Sequence, residues 1–350
     1  MNNLPKDKFL NIQPLISSLN YTSASYKYYW LIAIIQVVEA GKVIISKKEL
    51  FSRMVSSAWY TVNYYRISFG KQDKLQRAIE NIKLFENLSV DEDQQSIVNC
   101  LISSSNRNTN AQLNYFNNQV PHWFLTPWFP KANKTEIYNY SKDFNNQCPY
   151  ALCKEVIEIN PSWVYYFLEN AALIKSFCYW NLVNYLQSKN PNVPNIPSKV
   201  IKPAKRNNLS DQRKNFWDIV IGEKRYFKCI YTGNLLSIGN YDVEHFIPHN
   251  FVSHDLIWNL IPADKTFNIA KSDKLPIMDK YFPSYFNHHI SAIKIIIDKQ
   301  PRNKYLEEYL TIFPDINKIE SLNTDISLSM FKDKILPLIT IAHNNGFSFM

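Results

Sequence analysis

Glycine and paired cysteines are scarce in this chain of 350 residues. It has only six glycines, against 22 tyrosines and 21 phenylalanines. A turn-rich all-β fold needs many more glycines, so the composition indicates long helices with aromatic packing. The five cysteines are odd in number and form no C-x-x-C pair. We therefore expect neither a disulfide framework nor a four-thiolate zinc site, and free thiols fit a reducing cytoplasm.

Long apolar runs are also missing. The apolar stretch Trp30–Val38 is much shorter than the about 20 residues that a membrane-spanning helix requires. The first eight residues have no apolar segment of the kind found in a signal peptide. We therefore expect a cytoplasmic protein without a membrane partner.

Positive charge is in excess, at a formal net charge of +9. This charge favours an anionic partner, with nucleic acid first and a membrane surface second. With 46% hydrophobic residues, the chain can build ordered cores, and extensive disorder is not expected.

The pattern of apolar residues predicts a helical domain over residues 1–190, which would bind a target, a partner or a regulator. A proline-rich stretch follows, and we expect it to be a linker over 191–207. The second domain would span 208–350. Within the first domain, Pro121–Pro130 is expected to be an ordered aromatic loop. Its aromatic side chains either fill a core or stack on bases, and the first alternative is favoured.

The second domain begins with an amphipathic helix, Leu209–Ile221, and ends with helices beyond residue 277. Between them lies a core module over 225–276. Its segments predict a strand, a loop, a strand and a helix, that is, a ββα unit: Arg225–Tyr231 as an initial strand, then Tyr241–Ile247, Asn259–Ile261 and Asp264–Ser272. The fold class expected is therefore mostly α with a small ββα module.

The most informative residues of the chain lie in this unit. An acid, Glu244, precedes His245, and two asparagines follow, Asn259 and Asn268. Phosphodiester hydrolysis needs a base for the attacking water and a cation held with open positions for phosphate. His245 suits the first task, while Glu244 and Asn268 can supply oxygen ligands to one divalent metal, with Mg²⁺ expected and Mn²⁺ as an alternative. Asn259 is better placed to brace the loop.

The segment Asp242–Pro276 resembles the HNH (ββα-metal) endonuclease superfamily. The resemblance is carried by the opening D-V-E-H-F-I-P, by Phe251, Asn259 and Asn268, and by the closing K-S-D-K-L-P. It is particularly similar to the HNH domain of RNA-guided CRISPR effector nucleases. The chain is too short for such an effector, and it shows no second nuclease motif.

The resemblance implies a role for each matched residue. Glu244 would be a metal ligand, His245 the general base, Asn259 a structural support and Asn268 the second ligand. Lys271 would contact the backbone phosphate or the transition state. The products would carry a 5′-phosphate and a 3′-hydroxyl.

One residue departs from the family pattern, because the position of Glu244 is usually an aspartate. Asp242 lies two residues earlier on the same strand face and is a reserve ligand. Cys229 stands where many HNH proteins have a zinc knuckle. Its partner cysteines are absent from the sequence, so no structural zinc is expected.

Polar residues around the motif are open to more than one interpretation. His249, His254 and Asp255 either contact metal or DNA or are solvated loop groups, and the second alternative is favoured. Basic residues flanking the motif are expected to follow a nucleic-acid backbone: Lys224, Arg225, Lys228, Lys265 and Lys274.

The sequence therefore predicts a metal-dependent HNH endonuclease acting on DNA, in a bacterial restriction or anti-phage setting. RNA is a second candidate substrate. A nucleic-acid-binding protein with a catalytically silent HNH fold is the alternative function. One ββα site cuts one strand, so a double-strand break would need a homodimer, a defence-system partner protein or two successive nicks.

Overall fold

The computed structural model describes residues 4–20, 22–202, 208–316 and 324–350. The chain divides into two compact units, one formed by Met1–Pro191 with Ile196–Lys202 and the other by Asn192–Asn195 with Pro203–Met350. The division falls within the predicted linker 191–207, of which residues 203–207 lie outside the described residues. Each unit has its own core.

The first unit is built mainly of helices around a central apolar one. Its helices are α1 (Gln13–Ser18), α2 (Tyr26–Glu39), α3 (Lys47–Asn63), α4 (Leu75–Phe85), α5 (Gln94–Ser103), α6 (Arg107–Tyr115), α7 (Pro121–Leu125), α8 (Lys134–Tyr140), α9 (Pro161–Glu169) and α10 (Ala171–Lys189). Helix α2 is apolar on nearly all sides and is almost wholly buried, as expected for the centre of a helical domain. It contacts α3, α9 and α10.

A small antiparallel sheet in the first unit was not predicted. Its strands are β1 (Ile44–Ser46), β2 (Tyr150–Leu152) and β3 (Val156–Ile159), in the order β1-β3-β2. Strands of three or four residues show too little alternation to be recognised in a sequence. The first unit is therefore mainly helical, as expected, with this small sheet in addition.

The aromatic segment Pro121–Pro130 begins with α7 and is not simply a loop. Proline at the first helical position favours a helix start, since its fixed φ suits that position and its missing N–H costs no hydrogen bond. Phe124 and Phe129 are buried, which agrees with the core alternative, whereas Trp123 is 54% exposed.

The second unit opens with one helical segment in three parts. It comprises α11 (Ser210–Gln212), a π-helical turn (Arg213–Trp217) and α12 (Asp218–Glu223). The remaining elements are β4 (Phe227–Lys228), β5 (Leu235–Leu236), β6 (Asp242–His245), α13 (His249–Val252), β7 (Leu260–Ala263), α14 (Lys265–Lys271), α15 (Met278–Lys299), a 3₁₀ helix (Lys304–Thr311) and α16 (Thr324–Asn344). The molecule is thus mostly α, with a small ββα unit of β6, β7 and α14.

Helix α15 supports the ββα unit from the core of the second unit. The ring of Tyr285 stacks on Phe246, one residue beyond β6, with centroids 3.9 Å apart. The Tyr285 hydroxyl also donates to the Trp258 carbonyl, two residues before β7. On the next turn of α15, His289 is buried and its Nδ1 lies 2.6 Å from the Tyr309 hydroxyl. The ends of both strands are therefore attached to one rigid helix.

Over the described residues, no helix combines the length and apolar character needed to cross a bilayer.

Candidate active site

Strand β6 and helix α14 bring four polar side chains together. Asp242 and Glu244 are two residues apart and project from the same face of β6. Asn268 and Lys271 are three residues apart and share one face of α14. The Asn268 Nδ2 lies 3.5 Å from Asp242 Oδ2, and the Lys271 Nζ lies 2.7 Å from Glu244 Oε1. The register of β6 with β7, which pairs Glu244 with Ile261, positions this face.

The start of α14 is held by a well-defined cap. Asp264 accepts a hydrogen bond from the Thr266 N–H at 3.0 Å, and its own N–H donates to Cys229 Sγ at 3.4 Å. A capping aspartate satisfies otherwise unpaired N–H groups in the first turn. The cap therefore sets where α14 begins, and with it the positions of Asn268 and Lys271.

Lys271 is buried, with 1% of its surface exposed. Its ammonium donates to Glu244 Oε1 at 2.7 Å and to the His245 carbonyl at 2.8 Å. Burial lowers the pKa of the Lys271 ammonium, and the Glu244 carboxylate opposes that shift. The structure thus places Lys271 against Glu244 rather than on the surface, where the resemblance would have it contact a phosphate. In this position the ammonium is enclosed and two of its three N–H donors are engaged, so Lys271 supports Glu244 and the backbone at the end of β6.

Asp242 and Asn268 face solvent instead. They line an open cleft of about 520 Å³ together with residues from the start of the helical segment: Asn208, Leu209, Ser210, Arg213 and Val243 complete the lining. Glu244 and His245 are not in this lining. The cleft therefore holds the reserve ligand Asp242 and the predicted ligand Asn268, but not the predicted ligand Glu244.

His245 is the last residue of β6 and projects from the face opposite to Glu244. Its Nε2 lies 2.9 Å from Asp255 Oδ1. The Nε2 of His249 is 3.8 Å from the same oxygen, and the two imidazole rings are 5.2 Å apart. When Nε2 carries the ring proton and donates a hydrogen bond to Asp255, Nδ1 is unprotonated and can accept a proton.

The sequence does not identify Asp255 as a functional residue, because it favours the interpretation of this side chain as a solvated loop group. A carboxylate that orients a catalytic histidine is a recurring arrangement in enzymes. The only signal in the sequence is the acid ten residues after His245. That spacing alone does not predict a contact. The contact forms because α13 and the loop after it return the chain to the end of β6.

The side-chain amide of Asn259 forms two hydrogen bonds with the backbone of Ile247. Its Oδ1 accepts from the Ile247 N–H at 2.9 Å, and its Nδ2 donates to the Ile247 carbonyl at 2.9 Å. The Asn259 carbonyl also accepts from the Phe246 N–H at 2.7 Å. Asn259 is fully buried, so these bonds fix the backbone that follows His245 without contact with solvent.

The five flanking basic residues differ in their surroundings. Arg225, Lys228, Lys265 and Lys274 are exposed, and Lys224 is half-buried, with its pKa lowered by burial. The Lys265 ammonium donates to the Gly239 carbonyl at 3.1 Å. Their side chains are accessible to an anion, but the cleft lining contains none of them.

The donors of the site fit a hard divalent cation better than a soft one. Asp242 and Asn268 offer a carboxylate and an amide within 3.5 Å on an open cleft, which leaves space for water and phosphate. The amide can present its oxygen by a simple rotation, because its two ends are equivalent in shape. No group of three or more His, Cys, Asp or Glu side chains with metal-binding geometry occurs among the described residues. Glu244 is less suited to bind a metal in this structure, because the Lys271 ammonium already neutralises its carboxylate.

A comparison with known families identifies the segment that carries these residues. A family model described as HNH endonuclease matches residues 229–277. This segment belongs to the HNH superfamily. The match covers β5 to α14, the elements that carry the site, and it identifies a nuclease module of the HNH type. No curated protein and no solved structure matched the chain. The family membership rests on the HNH module alone, and the first unit is without a known relative in these comparisons.

Proposed function

We propose that this chain is a metal-dependent HNH endonuclease that hydrolyses phosphodiester bonds in DNA. The observation that carries the proposal is the ββα unit itself. It presents Asp242 and Asn268 to an open cleft and pairs His245 with Asp255 at the end of the same strand. Oxygen ligands for a cation and an oriented imidazole are the two components that metal-assisted hydrolysis of a phosphodiester requires.

Asp242 and Asn268 would hold one divalent metal, with Mg²⁺ first and Mn²⁺ second. Glu244 would join them once the contact of its Oε1 with Lys271 is loosened. When bound, such an ion neutralises charge on the phosphate and on the leaving oxygen. Hard oxygen donors and a mostly open coordination sphere are typical of Mg²⁺ sites.

His245 would act as the general base. With Nε2 hydrogen-bonded to Asp255, its Nδ1 can take the proton of the attacking water. Asp255 stabilises the imidazolium that results and holds the ring in one orientation. Asn259 would keep the following backbone in place through its two bonds to Ile247.

The substrate and the biological setting are inferred from charge and resemblance. A net charge of +9 and the accessible basic residues around the module favour a polyanion. We propose duplex DNA as the substrate and restriction or defence against phage as the setting. The first unit would then select the target or receive a signal.

One observation favours a second function. Lys271 already neutralises Glu244 inside the fold, as a metal would in an active enzyme. A module in this state could grip nucleic acid without cutting it, which is the alternative of a catalytically silent HNH fold.

A plasmid assay with Mg²⁺ or Mn²⁺ distinguishes the two functions. We expect the wild type to nick supercoiled plasmid, and His245→Ala to slow nicking by about 10²-fold or more, because a positioned base contributes about that much. His343→Ala, an exposed histidine of α16, is the matched control and should cut normally. Binding without cutting, with every divalent metal tried, would support the silent fold instead.

A further inference from the structure

The cleft that contains Asp242 and Asn268 is lined on one side by a basic residue. Among the described residues that line it, Arg213 is the only cation. Arg213 begins the π-helical turn between α11 and α12. Such turns are rare, and they often occur at functional sites because they shift one side chain out of the regular helical register. This residue precedes the segment that matches the HNH family.

The guanidinium of Arg213 is held in position without being neutralised. It lies 4.6 Å above the ring of Tyr241, the residue just before β6. The Tyr241 hydroxyl in turn donates to Asp218 at 2.7 Å, which fixes the ring. No carboxylate within the described part of the chain forms an ion pair with Arg213. Stacking on an aromatic face orients a guanidinium, and its five N–H donors exceed what one hydrogen bond with the Tyr241 hydroxyl can use, so donors remain for a further acceptor.

We propose that Arg213 binds a backbone phosphate of the nucleic acid beside the metal ligands Asp242 and Asn268. The planar guanidinium can donate two parallel hydrogen bonds to two phosphate oxygens, which an ammonium cannot do. Arg213 would thereby take the phosphate contact that resemblance assigned to Lys271, whose ammonium is enclosed and bonded to Glu244. This inference rests on the proposed function for the position of the scissile phosphate.

The first measurement is DNA binding without metal. Arg213→Gln is compared with Lys214→Gln, which removes the same charge from an exposed neighbour outside the cleft lining. Affinity for a short DNA duplex is measured by fluorescence anisotropy in EDTA over a range of salt concentrations. We expect Arg213→Gln to weaken binding and to reduce the salt slope by about one, as the loss of one phosphate contact does. Lys214→Gln should change both much less.

The second measurement is cleavage with Mg²⁺. We expect Arg213→Gln to reduce kcat/KM by about 10²-fold to 10³-fold, the usual effect of removing one donor to a reacting group. Arg213→Lys should recover only part of this loss, because a lysine restores the charge but not the paired donors. The thermal midpoint of each variant is measured to confirm that it is folded.

The outcomes separate the inference from the proposed function. If the wild type cuts and both glutamine variants lose the same amount, the role of Arg213 is wrong while the nuclease function stands. If the wild type does not cut, the nuclease function fails, and the binding measurement alone decides on Arg213. Equal salt slopes for the wild type and Arg213→Gln would then overturn the inference.

Discussion

At the scale of single residues, the pair of Glu244 and Lys271 is the feature that departs most from the family pattern. Glutamate is longer than the usual aspartate by one methylene, about 1.5 Å. In this structure the carboxylate extends to the Lys271 ammonium, and both groups are buried. Buried pairs of this kind are costly to break, because the remaining charge has no partner. Glu244, which was predicted to be a metal ligand, therefore also contributes to the stability of the module through its ion pair with Lys271.

Lys271→Met should destabilise the second unit by about 3–5 kcal/mol, the usual cost of breaking a buried ion pair. Replacing both partners, in Lys271→Met with Glu244→Gln, should recover much of the loss. Urea unfolding of the whole chain measures both effects. Addition of Mg²⁺ should restore stability to Lys271→Met but not to the double variant, because a cation then replaces the ammonium. No restoration by any divalent metal would exclude Glu244 as a ligand.

Asp255→Asn should lower kcat for DNA cleavage by about 10²-fold or more, with little change in KM. The carboxylate orients His245 and stabilises its protonated form, and an amide does neither as well. The test is a double-variant cycle measured under saturating substrate. In a His245→Ala background, Asp255→Asn should cause no further loss. A full additional loss would show that Asp255 acts independently of His245.

At the scale of elements, the sequence predicted the ββα unit well and the first unit less well. Strand β6 and helix α14 lie within the segments expected for them, and β7 overlaps its expected segment but extends two residues further, to Ala263. Turns and the Asp264 cap leave clear signals in this part of the sequence. The sheet of β1, β2 and β3 left none, since its strands are very short. The contact of Asp255 with His245 was also unpredictable, because it depends on how a loop folds back.

Helix α7 should make the first unit sensitive to acid. Its His122 is buried, with no hydrogen-bond partner for Nδ1 in the described part of the chain. Burial, with a smaller contribution from the charges of Lys134 and Lys47, lowers the pKa of His122 from 6.5 to about 4. Between about pH 6.5 and pH 4, His122 is therefore protonated in the unfolded chain but remains neutral in the folded chain. Stability is complete above this pH and is lost as the pH falls toward about 4.

His122→Phe should reduce this loss, which for one proton has a maximal slope of about 1.4 kcal/mol per pH unit. Urea unfolding at several values between pH 7 and pH 4 measures the slope for wild type and variant. His343→Phe is the control, because that side chain is exposed. Identical slopes for wild type and His122→Phe would contradict the assignment.

At the scale of the whole molecule, the two units have separate cores. One surrounds α2, and the other surrounds Tyr285 and His289 of α15. Independent cores are the usual basis for independent unfolding. We propose that the unit boundary is also a domain boundary, close to the predicted domains 1–190 and 208–350.

Calorimetry of the whole chain should therefore show two unfolding transitions. Lys271→Met should lower only one of them, by about 2–4 °C for each kcal/mol lost, as expected for units of this size. His122→Phe should alter only the other as the pH is lowered. A single transition that moves with both variants would show that the units unfold together.

The amino-acid sequence by itself determined the mostly helical fold class and the HNH module, and it predicts a boundary near the proline-rich stretch. These depend on local signals, namely apolar periodicity, prolines and a motif whose spacing is set within one ββα unit. Only the tertiary structure decided which side chains meet. It buried Lys271 against Glu244, directed Asp242 and Asn268 to the cleft with Arg213, and brought Asp255 to His245. Such contacts depend on register, helix rotation and loop path, and none of these is written in the spacing of residues alone.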